Sequence, residues 1–249
     1  MSASMFHVEP SAVARLSAGE WFTLSGDEGF HAATVQRLEV GESVMLADGL
    51  GRLAHGTVVE VPGKDSIVIN IVAITEAPAP APRLIVVQAI PKGDRGELAV
   101  EMLTEVGVDV IVPWAASRCV AQWRGDKIER GVEKWKATAR ESAKQSRRPR
   151  TPQLSALAST ADVVRLIRNT KPSWVLHEDG DARLSSVSVP PAGDIVLVVG
   201  PEGGVSPQEL DAFTDAGAEV VRLGPSVLRT STAGAVAAGI VLSRTTRWA

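Results

Sequence analysis

Residues 197–210 read LVVGPEGGVSPQEL, and the fold class turns on this stretch. An apolar run of strand type enters a loop rich in Gly and Pro, and a helix follows. Ser206 stands where a helix N-cap belongs, Pro207 suits the first helical position, and Glu209 falls three residues after the cap. That spacing is a capping box. Gly200, Gly203 and Gly204 allow positive φ or close approach of the backbone to a ligand. A tight strand-to-helix turn needs less than three Gly, Pro201 and Glu202 together, so a ligand loop is the favoured reading. The loop matches neither G-x-G-x-x-G nor G-x-x-x-x-G-K-[ST], so the fingerprints that catch pyrophosphate or triphosphate are absent. Backbone groups and one carboxylate suit a ligand without phosphates.

Residues 223–242, LGPSVLRTSTAGAVAAGIVL, repeat the arrangement: a strand ends in Gly-Pro, a short loop follows, and a helix starts near Thr230 or Ser231. The helix is rich in Ala and Gly, which lets a neighbouring segment or subunit come close; a plain buried helix is the alternative. Arg229, just before it, does not suit a core, because arginine is almost never buried unpaired.

Working outward, apolar strands are expected at 84–89, 108–112, 174–177, 195–199 and 219–222, alternating with helices at 94–105, 127–146, 154–168, 207–215 and 230–243. Such alternation predicts an α/β domain on a mostly parallel, buried sheet. Upstream, residues 75–83 read TEAPAPAPR, and alternating Ala-Pro favours an extended spacer. Before it, strands are expected at 21–24, 43–47, 57–61 and 66–74, with turns at 48–51 and 62–65 and one helix at 27–38. Short strands at this spacing suggest a small β-barrel. The expected division is a first domain at 1–75, a linker at 76–83 and a second domain at 84–249.

Composition narrows the class. Apolar residues make up 45% of 249 residues, enough for a real core. No run approaches the roughly 20 apolar residues of a membrane helix, and the N-terminus lacks the pattern of a signal peptide, so a soluble cytoplasmic protein is expected. Cys119 is the only cysteine, which excludes an intrachain disulfide, and with four histidines a structural zinc site is not expected. Net charge is −3 but unevenly spread: residues 124–150 hold ten Lys/Arg against four Asp/Glu. A polyanion footprint and a solvated helix face both fit that segment. Lys136, Arg140 and Lys144 recur every four residues and so share a helix face. Residues 1–75 carry four basic and nine acidic residues, so that domain is not an electrostatic clamp for a polyanion on its own.

Four blocks together carry a resemblance: Lys92-Gly-Asp-Arg95 with the run 105–113; Ser117-Arg118 with residues 141–150; Gly200 to Gly204; and Leu223 to Thr230. In this order and spacing the chain resembles the SPOUT class of methyltransferases, and most closely the RsmE family of small-subunit rRNA uridine-N3 methyltransferases. Departures are mild: Cys119 after Ser117-Arg118, and Ala233-Gly234 in place of Ala-Ala.

The resemblance implies a SPOUT-type α/β domain with a deep trefoil knot at its C-terminal end, preceded by a PUA-like β-barrel that docks RNA. It implies a homodimer that binds S-adenosyl-L-methionine and acts on 16S rRNA within the small ribosomal subunit; DNA and membranes are not expected partners. It places cofactor contacts at His177, Glu178, Leu197, Val199, Gly200, Pro201, Gly203, Gly204, Leu223, Gly224, Pro225, Leu228 and Thr230. Arg229 is expected to stabilise charge developing on the uracil, and Glu202 to orient the base, hold Arg229 or accept the imide proton. No His–Asp pair stands near the motifs, so the residues name no general base. RNA contacts are expected at Lys92, Arg95, Arg140, Lys144, Arg147 and Arg150. A SPOUT enzyme acting on tRNA or 23S rRNA, a non-catalytic ribosome-assembly factor and a small-molecule α/β enzyme remain as alternatives.

Overall fold

The computed structural model describes residues 3–248. The chain forms two compact units, Met1–Ala79 with Ala143–Thr151, and Pro80–Ser142 with Pro152–Ala249. The segment 143–151, assigned by sequence to the second domain, therefore belongs with the first.

The first unit contains β1 (Ser4–His7), the short helix α1 (Pro10–Val13), β2 (Trp21–Ser25), α2 (Gly26–Phe30), β3 (Ser43–Ala47), β4 (Arg52–Glu60) and β5 (Ser66–Glu76). They form one sheet in the order β1-β3-β4-β5-β2, with β1 parallel to β3 and the remaining pairs antiparallel. Period-two alternation turns Ile67, Ile69 and Ile71 of β5 inward, where they meet Phe6, Leu24 and Leu46 in a closed core. Two expectations are corrected. The helix at 27–38 is α2 followed by a wider π turn over His31–Val35. The strand at 57–61 begins already at Arg52, because pairing with β3 and β5 extends it.

The second unit runs β6 (Arg83–Ala89), α3 (Arg95–Val106), β7 (Val110–Trp114), α4 (Asp126–Gln145, of which the residues from Ala143 belong to the first unit), β8 (Gln153–Leu154), α5 (Thr160–Asn169), β9 (Ser173–Leu176), β10 (Ala182–Arg183), β11 (Asp194–Val199), α6 (Pro207–Asp215), β12 (Glu219–Arg222) and α7 (Thr230–Leu242). Its seven strands lie in the order β10-β12-β9-β11-β6-β7-β8, and every pair is parallel. The central strands are buried on both faces, as parallel sheets require. Leu84, Val86, Leu197 and Val199 face α3, α4 and α7, whereas Ile85, Val87, Val196 and Val198 face α5 and α6. The helix expected from residue 154 starts at Thr160 instead. Leu154 pairs with Ile111 of β7, and Ser159 with Asp162 forms the capping box that begins α5. α3 stops at Gly107, whose φ of 107° only glycine adopts readily.

The C-terminal end of the chain is tied down by Arg247. Its guanidinium donates to both carboxylate oxygens of Asp109 (2.7 and 3.0 Å), to Pro82 O (2.9 Å) and to Gly107 O (2.8 Å). Among the described residues no helix is long and apolar enough to cross a membrane, and no cluster of His, Cys, Asp and Glu could hold a metal ion.

Candidate functional site

Parallel strands put all their C-terminal ends on one edge of the sheet, where ligands of open α/β folds bind. Loops leaving β9, β11 and β12 meet there around a cavity of about 1220 Å³ in the second unit. Its walls include His177 and Glu178 after β9, the run 199–205 after β11, and the run 222–230 between β12 and α7.

Among the expected cofactor contacts, His177, Glu178, Val199, Gly200, Pro201, Gly203, Gly204, Leu223, Gly224, Pro225, Leu228 and Thr230 all line this cavity, as do Glu202 and Arg229. Leu197 does not: it is fully buried in the core, two residues deeper along β11 than Val199, and only the strand's end reaches the cavity. Arg229 is the exposed N-cap of α7 and makes no side-chain bond to the helix. His177 Nδ1 accepts the Asp179 N–H at 3.2 Å, so the neutral imidazole carries its proton on Nε2. The glycines act differently from one another. Gly204 has φ of +74°, while Gly203 makes room, since a Cβ there would sit 3.1 Å from the Arg118 carbonyl oxygen.

The loop after β11 is anchored from several sides. Glu209 caps α6 through Ser206 and also accepts the Ser117 N–H (2.8 Å), the Ser117 hydroxyl (2.8 Å) and the Thr160 hydroxyl (3.0 Å). Burial opposes its charge, yet these hydrogen bonds outweigh burial and hold the carboxyl below its ordinary range. Through Ser117 the contact brings Arg118 to the loop, where it donates to Gly203 O at 3.3 Å. Glu202 accepts the Lys92 N–H at 3.0 Å, tying the loop after β6 to the same wall. Arg118, Arg183, Ser185 and Arg222 line the cavity without having been singled out by sequence. Arg183 sits on a strand of two residues, too short for a periodic signal, and Arg222 ends the strand expected at 219–222, where strand pattern alone marks no role for it. Arg118 stood within a quoted motif but carried no assigned role.

The expected RNA contacts separate into distinct environments. Arg95 is half-buried and lines the cavity, and Lys92, Arg140 and Arg147 are exposed. Lys144 is not available: its ammonium pairs with Glu28 at 2.9 Å, and its side chain is only 7% exposed. Arg150 is likewise engaged, donating to the Leu50 and Ala77 carbonyls. An isolated buried lysine would pay heavily for lost hydration, and the carboxylate offsets that cost.

Residues 78–242 match the family model of the RNA methyltransferase domain, and residues 24–72 match that of the RNA methyltransferase PUA domain. The Mycobacterium bovis ribosomal RNA small subunit methyltransferase E is 45% identical over 252 residues, covering 100% of this chain and 94% of the relative. The Bacillus subtilis protein of the same name is 26% identical over 85% of this chain and 86% of its own length. A Legionella pneumophila methyltransferase solved with bound cofactor SAM superposes with a TM-score of 0.84 at 25% identity, covering 98% of this chain and 99% of that one. A PUA-like domain, a parallel α/β sheet with the loop cluster at its edge and full-length likeness at 45% identity converge: the chain belongs to the RsmE family of small-subunit ribosomal RNA methyltransferases.

Proposed function

We propose that this protein methylates N3 of a uridine in 16S rRNA, with S-adenosylmethionine as the methyl donor, and that it does so as a homodimer on the small ribosomal subunit. The observation that carries this reading is the single cavity lined by the loops after β9, β11 and β12, with five arginines but only two glutamates among its lining residues. Membership of the family makes the protein a SAM-dependent rRNA methyltransferase rather than a small-molecule enzyme or a non-catalytic assembly factor.

The residues fit the cofactor. Leu176, Val199, Leu223 and Leu228 offer apolar surface for an adenine ring, and the backbone of 199–204 and 223–228 offers donors and acceptors to its edge. Glu178 and Glu202 provide negative charge for a cationic ligand, and no phosphate-binding fingerprint is present. When bound, S-adenosylmethionine supplies a methyl group activated by a positively charged sulfur.

The chain's own residues then position the base. Uracil N3 is a weakly acidic imide that must lose its proton before it attacks, and negative charge spreads onto the flanking oxygens. Arg229, exposed at the cavity wall, is assigned to hold that charge. Glu202 uses one oxygen to fix the loop carrying Lys92, and its second oxygen is left to orient the base or receive the proton. Arg95, Arg118, Arg183 and Arg222 line the same cavity and are assigned to the RNA backbone. Alignment of nucleophile and methyl carbon supplies much of the acceleration in such a site.

Two further parts of the reading concern architecture. A trefoil knot through the second unit is inferred from the resemblance to SPOUT enzymes. The homodimer is supported by apolar side chains left exposed near the site: Val227 (78% exposed), Leu228 (36%) and Val236 (39%). The test is paired. Calorimetry should detect S-adenosylmethionine binding to wild type and to Arg229→Ala alike, while the variant loses most methylation of the small subunit. Absence of binding to wild type overturns the pocket, and full turnover by Arg229→Ala removes that residue from the chemistry.

A further inference from the structure

Gln88 stands near the end of β6, a strand that is otherwise apolar after Arg83, and is fully buried. Its Nε2 donates to Thr230 Oγ1 at 3.2 Å and to Ala89 O at 3.1 Å. Thr230 Oγ1 in turn donates to Gly200 O at 2.5 Å. The hydroxyl thus accepts from one neighbour and donates to the other, so the relay has a single direction. It joins β6, the loop after β11 and the first residue of α7, two of which are cavity walls. Gly234, one turn further along α7, seats the helix on this point. A Cβ there would lie 3.1 Å from Leu103 Cδ2 and 3.3 Å from both Gln88 Oε1 and Val199 Cγ2.

Stability alone gives no reason for an amide here. Gln88 Oε1 is buried without a hydrogen-bond partner, and an unmet acceptor in a core is costly. Leucine has similar bulk and would carry no such penalty. What the amide adds is orientation: it presents N–H to Thr230, fixes the hydroxyl rotor and turns the Gly200 carbonyl toward α7. That carbonyl is thereby committed, and the spacing between the loops before α7 and after β11 is set. Arg229 immediately precedes Thr230, so the same bond locates the guanidinium proposed to face the uracil.

We propose that Gln88 is a positioning residue which, acting through Thr230, holds the two loops of the cofactor cleft at their working separation. The proposal rests on reading the cavity as the S-adenosylmethionine site. Thr230→Val removes the hydroxyl at nearly constant shape, Thr230→Ser keeps it, and Gln88→Leu removes the donor. Dissociation constants for S-adenosylmethionine by calorimetry, thermal midpoints, and turnover on small subunits at saturating cofactor are measured for each. Thr230→Val and Gln88→Leu should each weaken cofactor binding about tenfold and lower saturated turnover, with the thermal midpoint within a few degrees of wild type. Thr230→Ser should bind as wild type does, and the double variant Gln88→Leu with Thr230→Val should be no weaker than either single one, since both cut one relay. Wild-type binding with unchanged affinity in Thr230→Val and Gln88→Leu overturns the relay alone. So do additive losses in the double variant, or failure of serine to rescue. No binding by wild type overturns the cavity reading beneath it.

Discussion

At Glu209 a carboxylate is buried yet ionised, and its partners explain both facts. The capping box with Ser206 could be read from sequence, because Ser and Glu three residues apart before an apolar run have a local cause. Its bonds to Ser117 and Thr160 could not, since those residues are 92 and 49 positions away and no local pattern marks them. The consequence for pH follows from the depressed carboxyl. A group held lower in the folded state contributes stability that is whole above its unfolded value and is lost as pH falls through its folded value. Glu209→Gln should cost about 2 kcal/mol at neutral pH, as a charged cap and its bonds to the 117 loop weaken. The gap in thermal midpoint between variant and wild type should hold from neutral pH down to the ordinary glutamate value of about 4.3, and close as pH falls below it through the folded value. A gap independent of pH would mean that the carboxylate's charge plays no part. Gln88 shows the reverse case of legibility: a polar residue inside an apolar strand is visible in sequence, but the residue it serves is 142 positions away.

At the scale of elements, the long basic helix α4 corrects the sequence most usefully. A spacing of four tells which side chains share a face, and Lys136, Arg140 and Lys144 do. It does not tell what that face meets at the helix end. There Lys144 pairs with Glu28, 116 residues earlier, while Arg140 stays exposed. Cations on one face therefore divide between holding the fold and meeting solvent. Arg140→Ala with Arg147→Ala should weaken RNA binding and reduce the slope of log affinity against log salt by about 0.7–0.9 per lost phosphate contact. Lys144→Ala should instead lower the thermal midpoint and leave the slope unchanged. Equal slopes for wild type and the arginine pair would return the helix to a solvated face. Helices and strands with strong periodicity or caps, such as α6 and β12, were legible almost to the residue. β1, β8 and β10, of two to four residues, were not, because pairing with distant strands and not local pattern makes them strands.

For the whole molecule, the sequence divided the charge in the wrong place. Residues 1–75 alone hold nine acidic and four basic side chains. The first unit, however, also includes Ala143–Thr151, whose Lys144, Arg147, Arg148 and Arg150 bring it to eight basic against ten acidic through residue 79. The small domain is thus far nearer neutrality than its contiguous stretch implied, which removes much of the objection to its touching RNA. The second unit supplies the chemistry because a parallel sheet gathers loops from separate parts of the chain onto one edge. Sequence identified the loops after β11 and β12 by their Gly and Pro, and the loop after β9 only through the family resemblance; their meeting in one cavity required the strand order. The most direct measurement is incubation with labelled S-adenosylmethionine and small subunits lacking the modification, followed by mapping of the methylated nucleotide. The account predicts label on N3 of one uridine in 16S rRNA; no incorporation into small subunits, or label on a ribose, another base or a different RNA, would contradict it.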